Sequence, residues 1–179
     1  MILGIDFSLT STGVCAIKDG DAECVTIGSK REDAWHEFPN RVEQIALDIF
    51  NWVGDDGLGA GLVIESPAFA AKGSAVDSMF GGWWLAVRAF GRLGWDPPLR
   101  VTPSQLKKFA TGKGNAGKDE VLLAVARRYP DVVIKNNNEA DAVVLAAIGA
   151  AAYGEPFNRA LTAAQQAVVE AVSSRREVE

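Results

Sequence analysis

The first 28 residues constrain the fold of this chain more than any other segment. Two apolar runs, MILGIDFS and GVCAIKDG, are separated by the turn-rich LTST, and Asp19-Gly20 then leads into ECVTIGS. An Asp-Gly pair between β-branched runs is typical of a tight hairpin. We therefore predict that three antiparallel strands open the domain.

Helices and short strands alternate along the rest of the chain. The pattern of apolar and capping residues predicts helices over 32–53, 73–93, 103–110, 118–129 and 138–152. A last helix is expected from Thr162, which forms a capping box with Gln165. The segments 62–66 and 99–103 predict two further strands. The expected fold is α/β, a mixed five-stranded sheet with helices on its faces.

Composition indicates one ordinary globular domain. The chain has 179 residues, 48% of them hydrophobic, which is enough for a full core. MILGIDFS enters a strand without a charged and apolar leader, and no apolar run is long enough to cross a bilayer. We expect a soluble, cytoplasmic protein with no membrane association.

Cysteine and histidine exclude some kinds of site. Cys15 and Cys24 have no C-x-x-C spacing, so we expect ordinary buried thiols and neither a metal site nor a disulfide. The single histidine, His36, excludes a mechanism that needs several histidines.

The segment TGKGNAGKD, residues 111–119, resembles the phosphate-binding loop of an ATPase. That loop reads G-x-x-x-x-G-K-[ST], and its last hydroxyl binds the magnesium ion of the nucleotide. Here Asp119 occupies the last position, and a polar helical segment precedes the loop where a buried strand is required. We therefore expect no nucleotide cofactor.

Positive charge is concentrated around this loop. Residues 100–128 carry seven basic and two acidic side chains, a balance of +5, whereas the whole chain carries −5 and the remainder therefore −10. A basic face on an acidic body suits a phosphate-bearing partner. A solvated helix face without a partner is the alternative.

Three acidic residues stand in apolar surroundings. Asp6 follows ILGI and Glu65 follows LVI, so each lies at the end of an apolar strand, and Asp141 interrupts an alanine-rich helix. A charged group in such a place is costly unless it is paired or functional. Each could have a local role in a turn, an ion pair or a backbone hydrogen bond. Together they are typical of an oxygen-rich site for magnesium or manganese.

Four segments, in this order, resemble the RuvC family of Holliday junction resolvases, and a phage-type member is compatible with them: GIDFSLTSTGVCAI, VIESPAFAAKGSA, TPSQLKKFATGKGNAGK and NEADAVVLAA. The resemblance implies an RNase H-like fold over residues 1–154, with 155–179 as a C-terminal helical extension. It also implies a homodimeric endonuclease that uses two Mg²⁺ or Mn²⁺ ions per active site. Such an enzyme resolves four-way DNA junctions by paired symmetric nicks.

The resemblance makes Asp6, Glu65 and Asp141 the catalytic and metal-binding acids. Many members of the family have a fourth acid or a histidine where this chain has Asn138, whose amide oxygen can still bind a metal. Asn138 is therefore the fourth candidate, and the adjacent Glu139 is the open alternative.

The resemblance also implies contacts with branched DNA. The glycines of the loop would let the backbone approach a phosphodiester, and its lysines would supply charge. Phe69 matches an aromatic residue that lies against an unpaired base near the crossover, and core packing is its alternative role. The candidate DNA-binding residues are Phe69, Lys72, Lys107, Lys113 and Lys118.

The predicted helix over 73–93 bears on the oligomeric state. Its aromatic and aliphatic residues cover more of the circumference than one buried face needs, so the helix requires two apolar neighbours. We expect the sheet to be one neighbour and a second subunit to be the other. An unusually buried helix within a monomer is the alternative.

Other functions share parts of this pattern. An actin-like ATPase or sugar kinase also opens with a G-[IV]-D strand, but it needs a second lobe for which 179 residues leave no room. A ribonuclease H, another structure-selective nuclease and a non-catalytic junction-binding module remain as alternatives.

Overall fold

The computed structural model describes residues 1–29, 35–67 and 76–176. Five strands form one sheet in the order β3-β2-β1-β4-β5. Strands β1, β2 and β3 are antiparallel neighbours, and β4 and β5 extend the sheet in parallel from β1. The predicted mixed sheet is confirmed. The strands are β1 (Ile2–Asp6), β2 (Ser11–Lys18), β3 (Asp21–Gly28), β4 (Gly61–Glu65) and β5 (Leu99–Val101).

Six α-helices accompany the sheet in the part of the chain that is described. They are α1 (Phe38–Val53), α2 (Val76–Arg92), α3 (Pro103–Thr111), α4 (Lys118–Arg128), α5 (Asn137–Ala152) and α6 (Ala163–Arg176). The first was predicted from residue 32, yet α1 begins at Phe38, after a 3₁₀ turn over Trp35–Glu37 and with a proline in its first turn. That proline suits a helix start because its missing N–H is not needed there.

Helices cover both faces of the sheet. One core lies between the sheet and the pair α1 and α2, and includes Leu3, Ile5 and Phe90. The other lies between the sheet and helices α3 to α6, and includes Val63, Leu106 and Leu145. The alternation of side chains along each strand supplies apolar residues to both faces.

Helix α5 is the central helix of the second face. Every residue from Ala142 to Ala150 is buried. Gly4 on β1 and Gly13 on β2 lie directly beneath it, because a Cβ atom on Gly4 would come within 3.0 Å of Ala142 O and Ala146 N. These two glycines therefore let the backbone of α5 lie against the sheet.

Helix α6 packs on the same face. Its Val168 and Val172 are buried in the core that contains α5. The predicted capping box is present, since the Thr162 N–H donates to Gln165 Oε1 and the Gln165 N–H donates to Thr162 Oγ1. The Gln165 amide also donates to Phe109 O at 3.0 Å, which ties α6 to the last turn of α3.

The structure contains no disulfide between the two cysteines and no membrane-spanning helix among the described residues. Cys15 and Cys24 are both free, and they stand opposite each other across β2 and β3. Within the described residues, no helix combines the length and the apolarity needed to cross a bilayer.

The seating of α5 gives a test of the fold. Gly4→Ala should lower the free energy of unfolding by about 3 kcal/mol or more, because the added methyl group meets helix backbone that cannot rotate away. Gly91→Ala in α2 is the matched control, since a Cβ there meets nothing within 4 Å. It should leave stability unchanged or raise it by up to about 1 kcal/mol. Chemical denaturation measures both, and equal stability of the two variants would contradict the role given to Gly4.

Candidate functional site

Two of the three acids meet at one end of the sheet. Asp6 is the last residue of β1 and Glu65 is the last residue of β4. These strands run parallel, with Ile5 opposite Ile64, so their carboxyl ends lie side by side. The two carboxyl groups interact through a hydrogen bond, which lowers the pKa of Asp6 and raises that of Glu65.

The third acid approaches from the helix above. Asp141 lies near the start of α5, where the backbone of the helix rests on Gly4 and Gly13. The charge of Asp141 raises the pKa of Glu65, and the charge of Asp6 raises the pKa of Asp141. The structure therefore brings Asp6, Glu65 and Asp141 together from three separate elements.

The environment of the cluster favours the protonated acids. Burial is the largest cause in each case, and it raises the pKa of Asp6 to about 6, that of Asp141 to about 7 and that of Glu65 to about 8. The neighbouring carboxylates raise the pKa of Glu65 and Asp141 further. A site that holds three such groups close together stabilises any cation that enters it.

Two of the candidate DNA-binding lysines adjoin the acids. Lys107 on α3 lowers the pKa of Glu65 and Asp141, and Lys118, the first residue of α4, lowers that of Asp6 and Asp141. Their positive charge offsets part of the repulsion among the acids. Lys113 lies in the loop between these helices, and its Nζ is 3.1 Å from Glu120 Oε1 on the exposed surface.

The donor set fits a hard divalent cation. Carboxylate oxygens are the ligands that Mg²⁺ and Mn²⁺ prefer. In residues 1–29, 35–67 and 76–176, no three side chains of His, Cys, Asp or Glu already stand at metal-binding spacing. The three acids are thus close enough to affect one another's pKa without already forming a metal-binding arrangement.

Asn138 and Glu139 occupy different environments. The Asn138 amide donates from Nδ2 to Ser11 O at 2.8 Å and to Ser11 Oγ at 2.9 Å. Glu139 is only 1% exposed. Its Oε1 accepts from Thr26 Oγ1 at 2.9 Å and its Oε2 accepts from Lys135 N at 2.7 Å. Both carboxylate oxygens of Glu139 are thus used to hold the start of α5 against β3, which leaves Asn138 as the better fourth candidate.

Two glycines of the 111–119 segment have local structural reasons. Gly112 is in the left-handed conformation, with φ 83°, and its N–H caps α3 on Lys108 O at 2.8 Å. A Cβ on Gly114 would meet Ser104 Oγ, whereas one on Gly117 would meet nothing within 4 Å. Local structure therefore explains Gly112 and Gly114 without any contact to DNA. At Gly117, close approach to a phosphodiester remains the explanation that was predicted.

The structure does not describe two of the predicted residues, and four residues near the site were not predicted. Phe69 and Lys72 lie outside the described residues. Sequence reasoning missed Trp83, Ser11 and the pair Gly4 and Gly13. The glycines could have been found, since an isolated glycine inside a strand pattern signals a close backbone approach.

The structure also has, among its described residues, two concave surfaces that do not include the acid cluster. One is lined by Ser29, Arg41 and Asp48, and another by Asp19, Trp52 and Asp131. Both lie away from the three acids. The acid cluster is therefore singled out by its chemistry and not by the depth of a pocket.

The sheet order and its antiparallel-then-parallel pairing define an RNase H-like fold, as in RuvC. No family model matches the chain. The chain is similar to the solved structure of Thermus thermophilus RuvC, with a TM-score of 0.63 and 20% identity over 86% of this chain and 96% of that one. It is also similar to T. thermophilus RuvC in complex with a Holliday junction substrate, with a TM-score of 0.59 and 19% identity over 98% and 95% of the two chains. At this identity the likeness establishes the fold, and the fold implied by the sequence resemblance is confirmed.

The raised pKa values predict how stability depends on pH without metal. In the folded state these acids hold protons at pH values where the unfolded chain, with ordinary values of 3.8 and 4.5, has released them. The stability that these protonated acids contribute to the free energy of unfolding is therefore fully present below about pH 4. It is lost as the pH rises through about 6 to 8.

We expect the melting temperature in EDTA to fall from pH 5 to pH 8, and Glu65→Gln to reduce that fall. Gln can donate to Asp6 at every pH, so at pH 8 the variant should be more stable than the parent by about 1–3 kcal/mol. Parallel curves for parent and variant would show that Glu65 titrates normally.

Proposed function

We propose that this protein is a divalent-cation-dependent endonuclease that resolves four-way DNA junctions. The observation that carries the proposal is the meeting of Asp6, Glu65 and Asp141 at one end of an RNase H-like sheet. The similarity to a RuvC structure solved with a Holliday junction substrate supports the choice of branched DNA.

In the proposed reaction, Asp6, Glu65 and Asp141 would hold two Mg²⁺ or Mn²⁺ ions, and the Asn138 amide oxygen is the fourth candidate ligand. The chemistry that such ions supply is activation of a water molecule and stabilisation of the leaving oxygen in phosphodiester hydrolysis. The protein's own contribution is to fix the carboxylates on three rigid elements. We propose that Lys107 and Lys118, whose charges lower the pKa of the neighbouring acids, contact the phosphate backbone near the scissile bond.

The basic segment is proposed to bind the rest of the DNA backbone. Lys113 is exposed, and its partner Glu120 is also exposed, so a phosphate can replace that ion pair at little cost. Phe69 and Lys72, which lie outside the described residues, remain candidates for DNA contact. Phosphate contacts of this kind orient the substrate without reading its sequence.

A homodimer through α2 is part of the proposal. Trp84 on α2 is 58% exposed. A large aromatic side chain at the surface of a helix is typical of an interface core. Two copies of the site on one rigid dimer would explain symmetric nicking of two strands.

The central test is cleavage. Asp6→Asn, Glu65→Gln and Asp141→Asn should each lose nearly all Mg²⁺-dependent nicking, at least about 100-fold, and should still bind four-way junctions in EDTA. Asp119→Asn is the control, because this acid is exposed at the start of α4. The assay compares a four-way junction, a Y-shaped DNA, a linear duplex and an RNA–DNA duplex. Parental rates in all three amide variants would refute the proposal, and preference for the RNA–DNA duplex would reassign the substrate.

The role of the lysines can be read from salt dependence. Replacing Lys113 and Lys118 by Ala together should weaken junction binding and reduce the slope of log K against log salt by about 2, since two phosphate contacts are lost. Arg92→Ala is the control, because Arg92 is paired with Glu43 on the α1 and α2 side of the sheet. An unchanged slope in the double variant would place these lysines away from phosphate.

The dimer can be tested through Trp84. Sedimentation should show a dimer for the parent at micromolar concentration and a monomer for Trp84→Lys, because the charge would be buried in the interface. Leu123→Lys is the matched control, since Leu123 on α4 is 51% exposed and lies on another helix. A monomeric parent, or dissociation caused equally by both variants, would count against the α2 interface.

A further inference from the structure

The peptide unit that follows Glu65 is held from two sides. Pairing between β4 and β5 ends at Glu65, opposite Val101. Beyond this point the Ser66 N–H donates to Val101 O at 2.8 Å. The Glu65 carbonyl accepts from the indole Nε1 of Trp83, also at 2.8 Å. Both polar groups of the Glu65–Ser66 peptide are therefore hydrogen-bonded.

Trp83 is itself rigidly held. It is 4% exposed, within the core formed by α1, α2 and the sheet. The ring of Trp84 packs against it edge-on, with centroids 4.8 Å apart and an interplanar angle of 87°. An indole N–H can only donate, and it needs an acceptor when buried. Here the acceptor is the main-chain oxygen of an acid in the candidate site.

A second buried tryptophan provides a comparison within the chain. Trp95 is 3% exposed, and its Nε1 donates to Gly57 O at 2.6 Å. The two tryptophans make the same kind of bond from the same core, and they differ in what the acceptor residue does. Effects on the site that arise from Trp83 alone cannot be attributed to a lost buried hydrogen bond in general.

We propose that Trp83 is a positioning residue for Glu65. By fixing the Glu65–Ser66 peptide, it sets the direction in which the Glu65 side chain leaves β4 and keeps its carboxylate beside Asp6 and Asp141. Without the bond from Trp83, the peptide is held only through the Ser66 N–H, and the Glu65 side chain is directed less firmly at Asp6 and Asp141. This inference rests on the proposed metal-dependent nuclease, in which small displacements of a ligand matter.

The first test uses the indole resonances of the parent protein. In a ¹⁵N–¹H spectrum, titration with Mg²⁺ should shift the Nε1–H resonance of Trp83, because its acceptor belongs to a residue that binds the ion. The resonance of Trp95 should stay in place. Trp83→Phe and Trp95→Phe assign the two signals, and through-bond correlation spectra of a ¹³C,¹⁵N-labelled parent assign them if Trp83→Phe does not fold. Equal responses of both signals, or none at Trp83 while Mg²⁺ is bound, would overturn the positioning role.

The second test compares the two Phe variants, each of which keeps a buried ring and removes the N–H. Trp83→Phe should raise the Mg²⁺ concentration for half-maximal junction cleavage by about 10-fold. Junction binding in EDTA should be unchanged. Trp95→Phe should leave both quantities at parental values, although it loses a similar bond. Equal cleavage curves would show that Trp83 only satisfies its own N–H.

The two tests separate the inference from the function on which it rests. A parent that neither cleaves junctions nor responds to Mg²⁺ would refute the proposed function, and the positioning role with it. If the parent cleaves junctions and responds to Mg²⁺, but Trp83→Phe and Trp95→Phe have the same Mg²⁺ dependence of cleavage, only the positioning role is refuted.

Discussion

The contact between the backbone of α5 and the first two strands is the constraint on which the site depends. Gly4 and Gly13 leave room for the helix to rest on the sheet, where any larger residue would collide with main-chain atoms. Asp141 is near the start of that helix, and Asp6 ends one of those strands. A helix lifted by the thickness of one methyl layer would carry Asp141 away from Asp6. The packing of two glycines therefore has a direct consequence for chemistry.

The site itself opposes the stability of the fold when no cation is present. Burial raises the pKa of all three acids, and the neighbouring carboxylates raise those of Glu65 and Asp141 further. Lys107 and Lys118 offset part of these effects. The surrounding structure holds the acids in place through neutral contacts: the seated helix for Asp141, the strand register for Asp6 and Glu65, and the bond from Trp83 to the Glu65 carbonyl. Rigid support of this kind is what a metal-binding cluster requires.

Local sequence pattern was sufficient to predict the mixed sheet and to select the three acids that the structure brings together. Apolar strands that end in Asp6 and Glu65 stand out without any structure, and so does Asp141 in an alanine-rich helix. Glu139 could not be interpreted in that way, because an acid in the first turn of a helix is favourable in any protein. Only its bonds to Thr26 and to Lys135 N reveal a structural role.

Long-range contacts and special backbone conformations were the other limits of sequence reasoning. The bond from Trp83 to Glu65 joins residues 18 apart, and no periodic pattern signals it. Gly112 looked like part of a phosphate loop, yet its left-handed conformation at the end of α3 accounts for the glycine. A helix was predicted over 73–93 and α2 spans Val76–Arg92, but the sequence pattern did not show that Trp83 would be buried and Trp84 exposed.

The most direct test of the central claim is the effect of Mn²⁺ on the melting temperature of two variants of α5. An ion that binds only the folded protein raises its stability in a concentration-dependent way. We expect Mn²⁺ to stabilise the parent and Glu139→Gln, although Glu139→Gln starts from a lower melting temperature. We expect no Mn²⁺ stabilisation of Asp141→Asn, whose substitution lies two positions away. Loss of the Mn²⁺ effect in Glu139→Gln, with a parental effect in Asp141→Asn, would contradict the site described here.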